Sequence, residues 1–497
     1  MNYAVAISEE NNKILLDHLI RRDGQEDLCF ALYEISNSKS STFASILEII
    51  LPEKGDREVH GNVSFNPQFL DRVTSRAIAK KCGICFMHSH PSYGWQGMSQ
   101  DDVEAESMLA PRVKAITALP LLGMTLSQDG LWSARFWVKD APKSYKRHFC
   151  NKVRVVGKGL HVSFYDELSP KVLFGEEFTR TISSWGEAKQ SAIARLRIGI
   201  VGLGSVGSII AESLVRTGVQ QIVLIDFDKV ERKNLDRLQG IGPASIGKLK
   251  VEEIKKYMES ISSGTAGNIS AVPYSIVESE GMLAALDCDL LFCCVDRPWP
   301  RYILDRISFA NLIPIIDGGI DAEINKKHSN LHQARWKAHA CGPGRICMKC
   351  IGQYTPEDVS LEMSGLLEDQ HYIKGLPKEH FVNGGENVYA FSMGVAAMEM
   401  HQFLSMVLMP KGQYYGPKEY DFNSGNIDAD FPFSCKNNCD NLPILATGDK
   451  INKHLISTHE AAAASRNSAE KIVLESPGKT WLQQLKDWTS RMFSRID

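Results

Sequence analysis

The sequence predicts an α/β protein of two units, an α+β unit followed by a doubly wound, Rossmann-like parallel sheet. Three observations predict it. From Arg197 onward, short apolar runs (Ile198 to Val201, Ile222 to Ile225, Leu290 to Val295, Ile313 to Ile316) alternate with helical stretches, the signature of a parallel sheet. A glycine-rich turn joins the first of these runs to a helix. The first 140 residues mix helix and strand patterns without that alternation. The full 497 residues are also too many for one ordinary domain.

In chain order, Lys13 to Arg22 reads as an amphipathic helix, through Ile14, Leu15, Leu16, Leu19 and Ile20. Leu28 to Ile35 and Phe43 to Leu51 read as strands, Pro67 to Lys81 as a helix, and Cys82 to His90 as a strand closed by Pro91. Leu131 to Val138 is a further strand. Ala141 to Glu176 carries no strong period, with short strands at Val153 to Val156 and His161 to Phe164. The expected division is therefore 1–145, a connection at 146–176, the parallel-sheet unit at 177–445, and a polar linker at 446–497 ending in an amphipathic helix, Trp481 to Phe493.

Composition narrows the function classes. A 43% hydrophobic and 23% charged chain is globular, not disordered or collagen-like. A net charge of −3 excludes wrapping nucleic acid by charge alone. The opening MNYAVAISEENN lacks the basic and apolar regions of a secretory leader. The longest apolar stretch, Val388 to Met409, carries Glu399 and His401 and so reads as a buried helix, not a membrane span. Twelve cysteines without a leader point to a reducing, cytoplasmic setting and to metal rather than disulfides.

The string MHSHPSYGWQGMSQDD holds the first chemistry. His88 and His90 are two apart on a strand and share a face. Ser99 suits a helix cap, and Asp102, one turn inward, can face the histidines. Two imidazoles and a carboxylate leave a tetrahedral zinc one open position for water. An H-x-H pair alone is also met as two partly exposed histidines; Pro91 and the S-x-x-D that follows favour metal.

This segment resembles the H-x-H-P…S-x-x-D motif of the JAMM (MPN+) zinc isopeptidases, which cleave ubiquitin or ubiquitin-like proteins from their targets. The resemblance implies His88, His90 and Asp102 as zinc ligands, Glu26 as the base, and Ser99 as donor to the tetrahedral oxyanion. Eight residues, Pro91 to Met98, separate His90 from Ser99, one more than the commonest family spacing, which leaves Asp101 as a lesser ligand. Glu58, in GDREVHGNV, is a second candidate base. Cys82 and Cys85 have redox spacing but lie in the strand leading to His88, and read as core.

The second chemistry starts in IGIVGLGSVGSIIAESL. Gly202, Gly204 and Gly207 stand between strand and helix, where backbone N–H groups can approach a phosphate chain. Asp226, nineteen residues after Gly207, ends the next strand and could hold a ribose hydroxyl. Taken alone, these residues describe a nicotinamide dehydrogenase. The continuation DFDKVERKNLDRLQ…IGKLKVE does not. The spacing of Asp226, Asp228, Asn234, Arg237 and Lys250, with Asp296 after LLFCCV, resembles the ThiF/MoeB and ubiquitin-activating enzyme superfamily from about Phe178 to Pro410. Members join a carboxylate to ATP and expel pyrophosphate. The resemblance implies that Arg237 and Lys250 hold phosphates, Asn234 helps to position them, Asp226 takes the ribose and Asp296 the magnesium, with Asp228 in the same nucleotide-binding set. Arg180 would match an arginine donated from the partner subunit in family dimers.

Cys347 and Cys350, with Cys435 and Cys439, make two short thiol hooks sufficient for a structural tetrahedral zinc, as superfamily members often have; four unrelated buried thiols are the plainer alternative. Ubiquitin-activating enzymes also use a thioester cysteine. Cys341, in HACGPG, is the best candidate because its Gly and Pro neighbours suggest an exposed loop. Cys347 or Cys350 are rivals if they hold no zinc, and Cys288, Cys293 and Cys294 read as core. A chain that stops at the adenylate would need no such cysteine.

Together the resemblances imply an isopeptidase fused to an adenylyltransferase in a bacterial-type ubiquitin-like pathway. They imply Zn2+, Mg2+ and ATP, a ubiquitin-like or sulfur-carrier partner offering its C-terminal tail, a conjugating enzyme, and a homodimer. A sulfur-carrier adenylyltransferase making thiocarboxylate and a nucleotide-sensing scaffold are the alternatives.

Overall fold

The computed structural model describes residues 2–60, 62–262, 267–325, 330–368, 387–452 and 455–475. The first unit runs β1 (Asn2–Ser8), α1 (Glu9–Leu19), β2 (Leu28–Asn37), β3 (Ser41–Ile50), β4 (Arg57–His60), β5 (Asn62–Phe65), α2 (Pro67–Lys80), β6 (Gly83–Ser89), α3 (Gln100–Thr117), β7 (Leu121–Leu126), β8 (Trp132–Ala141), β9 (Ser144–Phe149), β10 (Lys152–Val156) and β11 (Leu160–Phe164). Nine of these strands form one sheet in the order β11-β10-β1-β3-β2-β6-β7-β8-β9, while β4 and β5 pair as a separate hairpin. β6 lies mid-sheet and is buried along its whole length, which explains its unbroken apolar run. α1 starts before the expected Lys13, because Ser8 caps it and Glu9 and Glu10 suit its first turn.

The expected connection at 146–176 is corrected. Its strands β10 and β11 extend the first sheet, β10 pairing parallel with β1 from Ala4↔Lys152 to Ser8↔Val156. β9 closes the other edge against β8. Local periodicity could not show that β1, at the chain's start, had an open side waiting for a strand some 150 residues later.

The second unit runs α4 (Thr179–Trp185), α5 (Glu187–Arg195), β12 (Arg197–Val201), α6 (Ser205–Arg216), β13 (Gln221–Ile225), α7 (Lys250–Ile261), β14 (Ile269–Val272), α8 (Ser279–Leu286), β15 (Leu290–Cys293), α9 (Pro298–Ala310), β16 (Ile315–Asn325), β17 (Asn330–Cys341), α10 (Pro356–Met363), α11 (Tyr389–Leu408), β18 (Lys418–Asp421), β19 (Ile427–Asp428), α12 (Asp449–Asn452) and α13 (Glu460–Glu475). The sheet order is β14-β13-β12-β15-β16-β17-β18-β19. The first five strands are parallel and the last three antiparallel. From β12 the chain winds outward through β13 and β14, then returns to β15 on β12's other side. The crevice beyond the carboxyl ends of β12 and β15 is thus a topological switch point. α11 is the apolar helix expected over Val388 to Met409, with Glu399 fully buried in it. No helix among the described residues is long and apolar enough to cross a membrane.

The two units share a core. Ala6, Val156, Leu160 and Phe164 of the first pack in one cluster with Ile198, Phe292 and Phe403 of the second. Polar ties reinforce it: Lys152 Nζ stands 2.6 Å from Asp289 Oδ2, and the hydroxyls of Ser38 and Ser40 donate to Asp287 at 2.6 and 2.8 Å. The polar region after 446 does not simply trail away. In α12, Asp449 accepts from the Asn37 N–H at 2.9 Å and Lys450 pairs with Glu34. The amphipathic stretch expected at Trp481 to Phe493 lies outside the described residues.

Candidate active sites

β6 carries His88, and His90 follows one residue past its end. Their Nε2 atoms stand 3.2 Å apart. α3 begins beside them, capped by Ser99, whose Oγ accepts the Asp102 N–H at 3.1 Å. The Asp102 carboxylate lies 3.2 Å from His88 Nε2 through Oδ1 and 3.3 Å from His90 Nε2 through Oδ2. Burial alone would raise the Asp102 pKa, but the two histidines and the Ser99 N–H hold it far below the carboxylate range. Burial pushes His88 down. It works against His90 too, yet Asp102 and Glu26 carry His90 upward.

This donor set suits zinc. Ligand atoms about 2.0–2.1 Å from a tetrahedral ion stand roughly 3.3 Å from one another; the two imidazole nitrogens are spaced so here, and each has one oxygen of the Asp102 carboxylate at that distance. Glu26 is on the loop before β2, with Oε1 3.9 Å from His90 Nε2. Burial raises its pKa, Asp102 and Asp101 add to the rise, and His90 opposes it. The neighbouring peptide fixes that loop: Ser89 N–H donates to the Asp27 carbonyl and Asp27 N–H to Ser89 Oγ, both at 3.0 Å. Asp27 is also paired with Arg57 at 2.5 Å. Glu58 is exposed on the β4–β5 hairpin, on a strand rather than in a turn, and Asp101 is exposed on α3. Cys82 and Cys85 are both fully buried.

Sequence reasoning missed what lies beneath His88. Thr125 Oγ1 is 3.4 Å from His88 Nε2 and accepts from Arg135 at 2.6 Å. Arg135 pairs with Glu106, both fully buried, and Trp137 Nε1 donates to Glu106 at 2.6 Å. The signal was present: an arginine inside the apolar run WSARFWV, and a glutamate one helical turn after Asp102 on the face toward the sheet.

In the second unit, Gly202 has φ 91°, and a Cβ there would stand 2.6 Å from the Cys294 carbonyl. A Cβ on Gly207 would stand 2.0 Å from the Gly202 carbonyl, so helix and turn touch backbone to backbone. Gly204 caps α6 and faces open space. Asp226 is tied to this turn: Oδ2 accepts from Leu203 N–H at 2.5 Å and Oδ1 from Asp228 N–H at 2.7 Å. Burial raises its pKa, with Asp228 adding and Lys250 opposing. Lys250 Nζ is 2.8 Å from Asp228 Oδ2. Although burial disfavours its charge, Asp226, Asp228 and Asp296 together raise its pKa.

Asp296 is exposed just beyond β15, at the switch point. Asn234 is buried and its Oδ1 accepts the Glu231 N–H at 2.9 Å. Arg237 rests on the Lys233 carbonyl at 2.9 Å and on Asp236 at 3.1 Å. Arg180 is exposed on α4, and among the described residues its guanidinium has no hydrogen-bonding or ionic partner. The structure thus gathers Gly202, Gly204, Gly207, Asp226, Asp228, Lys250 and Asp296, and leaves Arg180 apart.

Cys341 is corrected. It ends β17 opposite Ile315, fully buried, and burial with Asp305 nearby pushes its thiol far up. The loop suggested by Gly342 and Pro343 starts only after it. Cys288 and Cys293 are likewise fully buried, and Cys294 is partly so. Cys347, Cys350, Cys435 and Cys439 do converge, each with its Sγ within 4.8 Å of the others. Cys347 and Cys439 stand at 3.6 Å, near the roughly 3.8 Å edge that Zn–S bonds of about 2.3 Å would give. Backbone N–H groups of Cys347 and Cys350 point at Cys435 Sγ and Cys347 Sγ, both at 3.3 Å. Asp305, unnoticed in the sequence, holds this hook by accepting from the N–H of Met348 and of Lys349 at 3.1 and 3.3 Å.

Residues 178–351 match the model of the ThiF family. The chain is 28% identical over 173 residues to an adenylyltransferase and sulfurtransferase of Meyerozyma guilliermondii, covering 34% of this chain and 40% of that one. It is 32% identical over 131 residues to the molybdopterin-synthase adenylyltransferase of Escherichia coli, 26% of this chain and 51% of the relative. To ubiquitin-like modifier-activating enzyme 5 of Drosophila virilis it is 27% identical over 169 residues, 32% and 42% of the two chains. The chain thus spans about half or less of the length of these relatives. Among solved structures it is similar to E. coli MccB with ATP, at 15% identity and a TM-score of 0.41, over 54% of this chain and 74% of that one.

Proposed function

We propose, from the premise that residues 178–351 form a ThiF/MoeB-like adenylyltransferase domain, that this chain activates the C-terminal carboxylate of a ubiquitin-like or sulfur-carrier protein with ATP, and that its first unit hydrolyses a bond to the same protein's tail. What carries the reading is the meeting of Lys250 with Asp226 and Asp228 beside the glycine turn, at the switch point of the matched segment. In the reaction, a tail carboxylate oxygen bonds to the α-phosphorus of ATP as the bond to pyrophosphate breaks. Both reactants are anionic, so cations must draw them together. The turn's N–H groups, Lys250 and Arg237 supply that pull, and Asn234 steadies the phosphates. Asp226 receives the ribose. Asp296 would hold magnesium, which neutralises triphosphate charge when bound. Arg180, exposed on α4, would serve a second copy in a homodimer.

In the first unit, His88, His90 and Asp102 would hold zinc, which acidifies a bound water when present. Glu26 Oε1 takes the water's proton and returns it to the leaving amine. Ser99 keeps a hydroxyl proton to donate to the oxyanion, since its Oγ already accepts from Asp102 N–H. A tail trimmed here would be presented to the second centre of the same chain at raised effective concentration, and a conjugating enzyme would receive the activated product.

The test is mass spectrometry of a small glycine-terminated partner after incubation with ATP and magnesium, read for adenylate, thioester and truncation. Glu26→Gln should abolish trimming or deconjugation and leave ATP–pyrophosphate exchange with mature partner intact. Equal loss of both activities would refute separate centres. A second reading, sulfur-carrier chemistry, is favoured by the molybdopterin-synthase relative and by the burial of Cys341. Thiocarboxylate on the partner, in place of a protein conjugate, would decide for it.

A further inference from the structure

α13 looks in sequence like linker: EAAAASRNSAEK is small and polar. It nevertheless lies across the ends of β13 and β14. Ser465 Oγ donates to the Phe227 carbonyl at 2.6 Å, and the His459 ring sits 4.7 Å from that of Phe227. Lys229 Nζ donates to Ser468 Oγ at 2.6 Å. Arg466 grips the neighbouring loop, pairing with both Glu278 oxygens at 2.7 and 2.9 Å, donating to the Pro273 carbonyl at 3.1 Å, and lying 4.0 Å over the Tyr274 ring.

The peptide between Phe227 and Asp228 is therefore held from both sides. Its carbonyl accepts from Ser465; its N–H donates to Asp226 Oδ1 at 2.7 Å. The other Asp226 oxygen accepts from Leu203 inside the glycine turn, and Asp228 in turn holds Lys250 at 2.8 Å. A continuous run of hydrogen bonds leads from α13 into the centre of the proposed nucleotide site. Free to rotate, this peptide would release Asp226 from its N–H and turn Asp228 away from Lys250.

We propose that α13 is a strap that sets the Asp226–Lys229 loop for nucleotide, with Ser465 as a positioning residue acting through the Phe227–Asp228 peptide. It rests on the adenylation reading above and deepens it. Earlier in the same polar region, α12 binds Asn37 and Glu34 of the first unit.

The test uses the full-length protein and Mg–ATP as probe, with calorimetric Kd and thermal unfolding measured on the same samples. Ser465→Ala should raise the Kd about fivefold, the weight of one hydrogen bond. Ser465→Thr keeps the hydroxyl and should bind within about twofold of wild type. Arg466→Ala should weaken binding in the same direction, and it carries the test if Ser465→Ala does not fold. Wild-type Kd in folded Ser465→Ala or, failing that variant, in folded Arg466→Ala overturns the strap while leaving the adenylation reading standing. Wild-type protein that does not bind Mg–ATP at all overturns both.

Discussion

Ser99 and Asp102 hold one another reciprocally, and the same Asp102 oxygen that accepts the Ser99 N–H at 2.8 Å lies 3.3 Å from His90 Nε2. The helix cap and the candidate metal ligand are one carboxylate. The aim of Asp102 is therefore fixed by the start of α3 and not by the histidines alone.

Ser99→Ala should separate the two roles of that serine. Loss of the cap should cost about 1 kcal/mol in urea unfolding. Loss of an oxyanion donor should slow cleavage of an isopeptide probe by about a hundredfold, more than the weakened cap accounts for. A rate drop no larger than the stability change predicts would reduce Ser99 to a cap.

Gly204 and Gly207 should behave oppositely. Gly207→Ala places a methyl 2.0 Å from the Gly202 carbonyl, so α6 must move, and unfolding should shift by about 1–3 kcal/mol. Gly204→Ala meets nothing within 4 Å and should fold as wild type, yet bind Mg–ATP more weakly, because the methyl would fill the space in which the proposed site brings phosphates to N–H groups. Equal stability losses with unchanged binding would remove the phosphate site from this turn.

The two metal-capable clusters should load independently. Elemental analysis of purified protein is expected to find zinc at both. His88→Ala should remove one equivalent and leave thermal unfolding nearly unchanged. Cys347→Ser should remove the other and lower the unfolding temperature, because the thiol hooks join the segments near 347 and 435 across a long stretch of chain. Full metal loss from either single substitution would argue against two sites.

Much of this was legible because it was local. The H-x-H pair, the S-x-x-D cap and the glycine turn each occupy a few residues whose spacing dictates their geometry. What escaped was set by distant partners. The pairing of β10 with β1, the Arg135–Glu106 pair under His88 and the docking of α13 on Phe227 join residues far apart in sequence. Cys341 misled for a related reason: Gly and Pro just after it describe the loop, while its own position is decided by pairing with Ile315. Arg237 and Asn234 are bound to neighbours within their own turn, so their expected hold on phosphate is not imposed by the fold.

Asp289 offers a test of how the two units are joined. It sits fully buried before β15, between Lys152 at 2.6 Å and Arg154 at 3.4 Å from β10, and accepts the Arg197 N–H at 3.0 Å. Burial would raise its carboxyl, but the two cations outweigh it and hold the pKa below the ordinary 3.8. A carboxyl depressed in the folded state contributes stability that is complete above its unfolded pKa and is lost as pH falls through the folded one. Wild-type unfolding free energy should therefore decline from about pH 4 downward, as the unfolded chain takes up this proton first. Asp289→Asn leaves Lys152 and Arg154 facing a neutral group and should lose about 3 kcal/mol near pH 7. Its deficit relative to wild type should narrow below pH 4, because acid removes in the wild type the charge the variant already lacks. Because Ala6 and Phe164 share a core with Ile198 and Phe403, the loss should appear in one cooperative transition covering both units. A deficit that stays constant from pH 7 to pH 3, or two separate transitions with only one affected, would show that this ion cluster does not bind the units together.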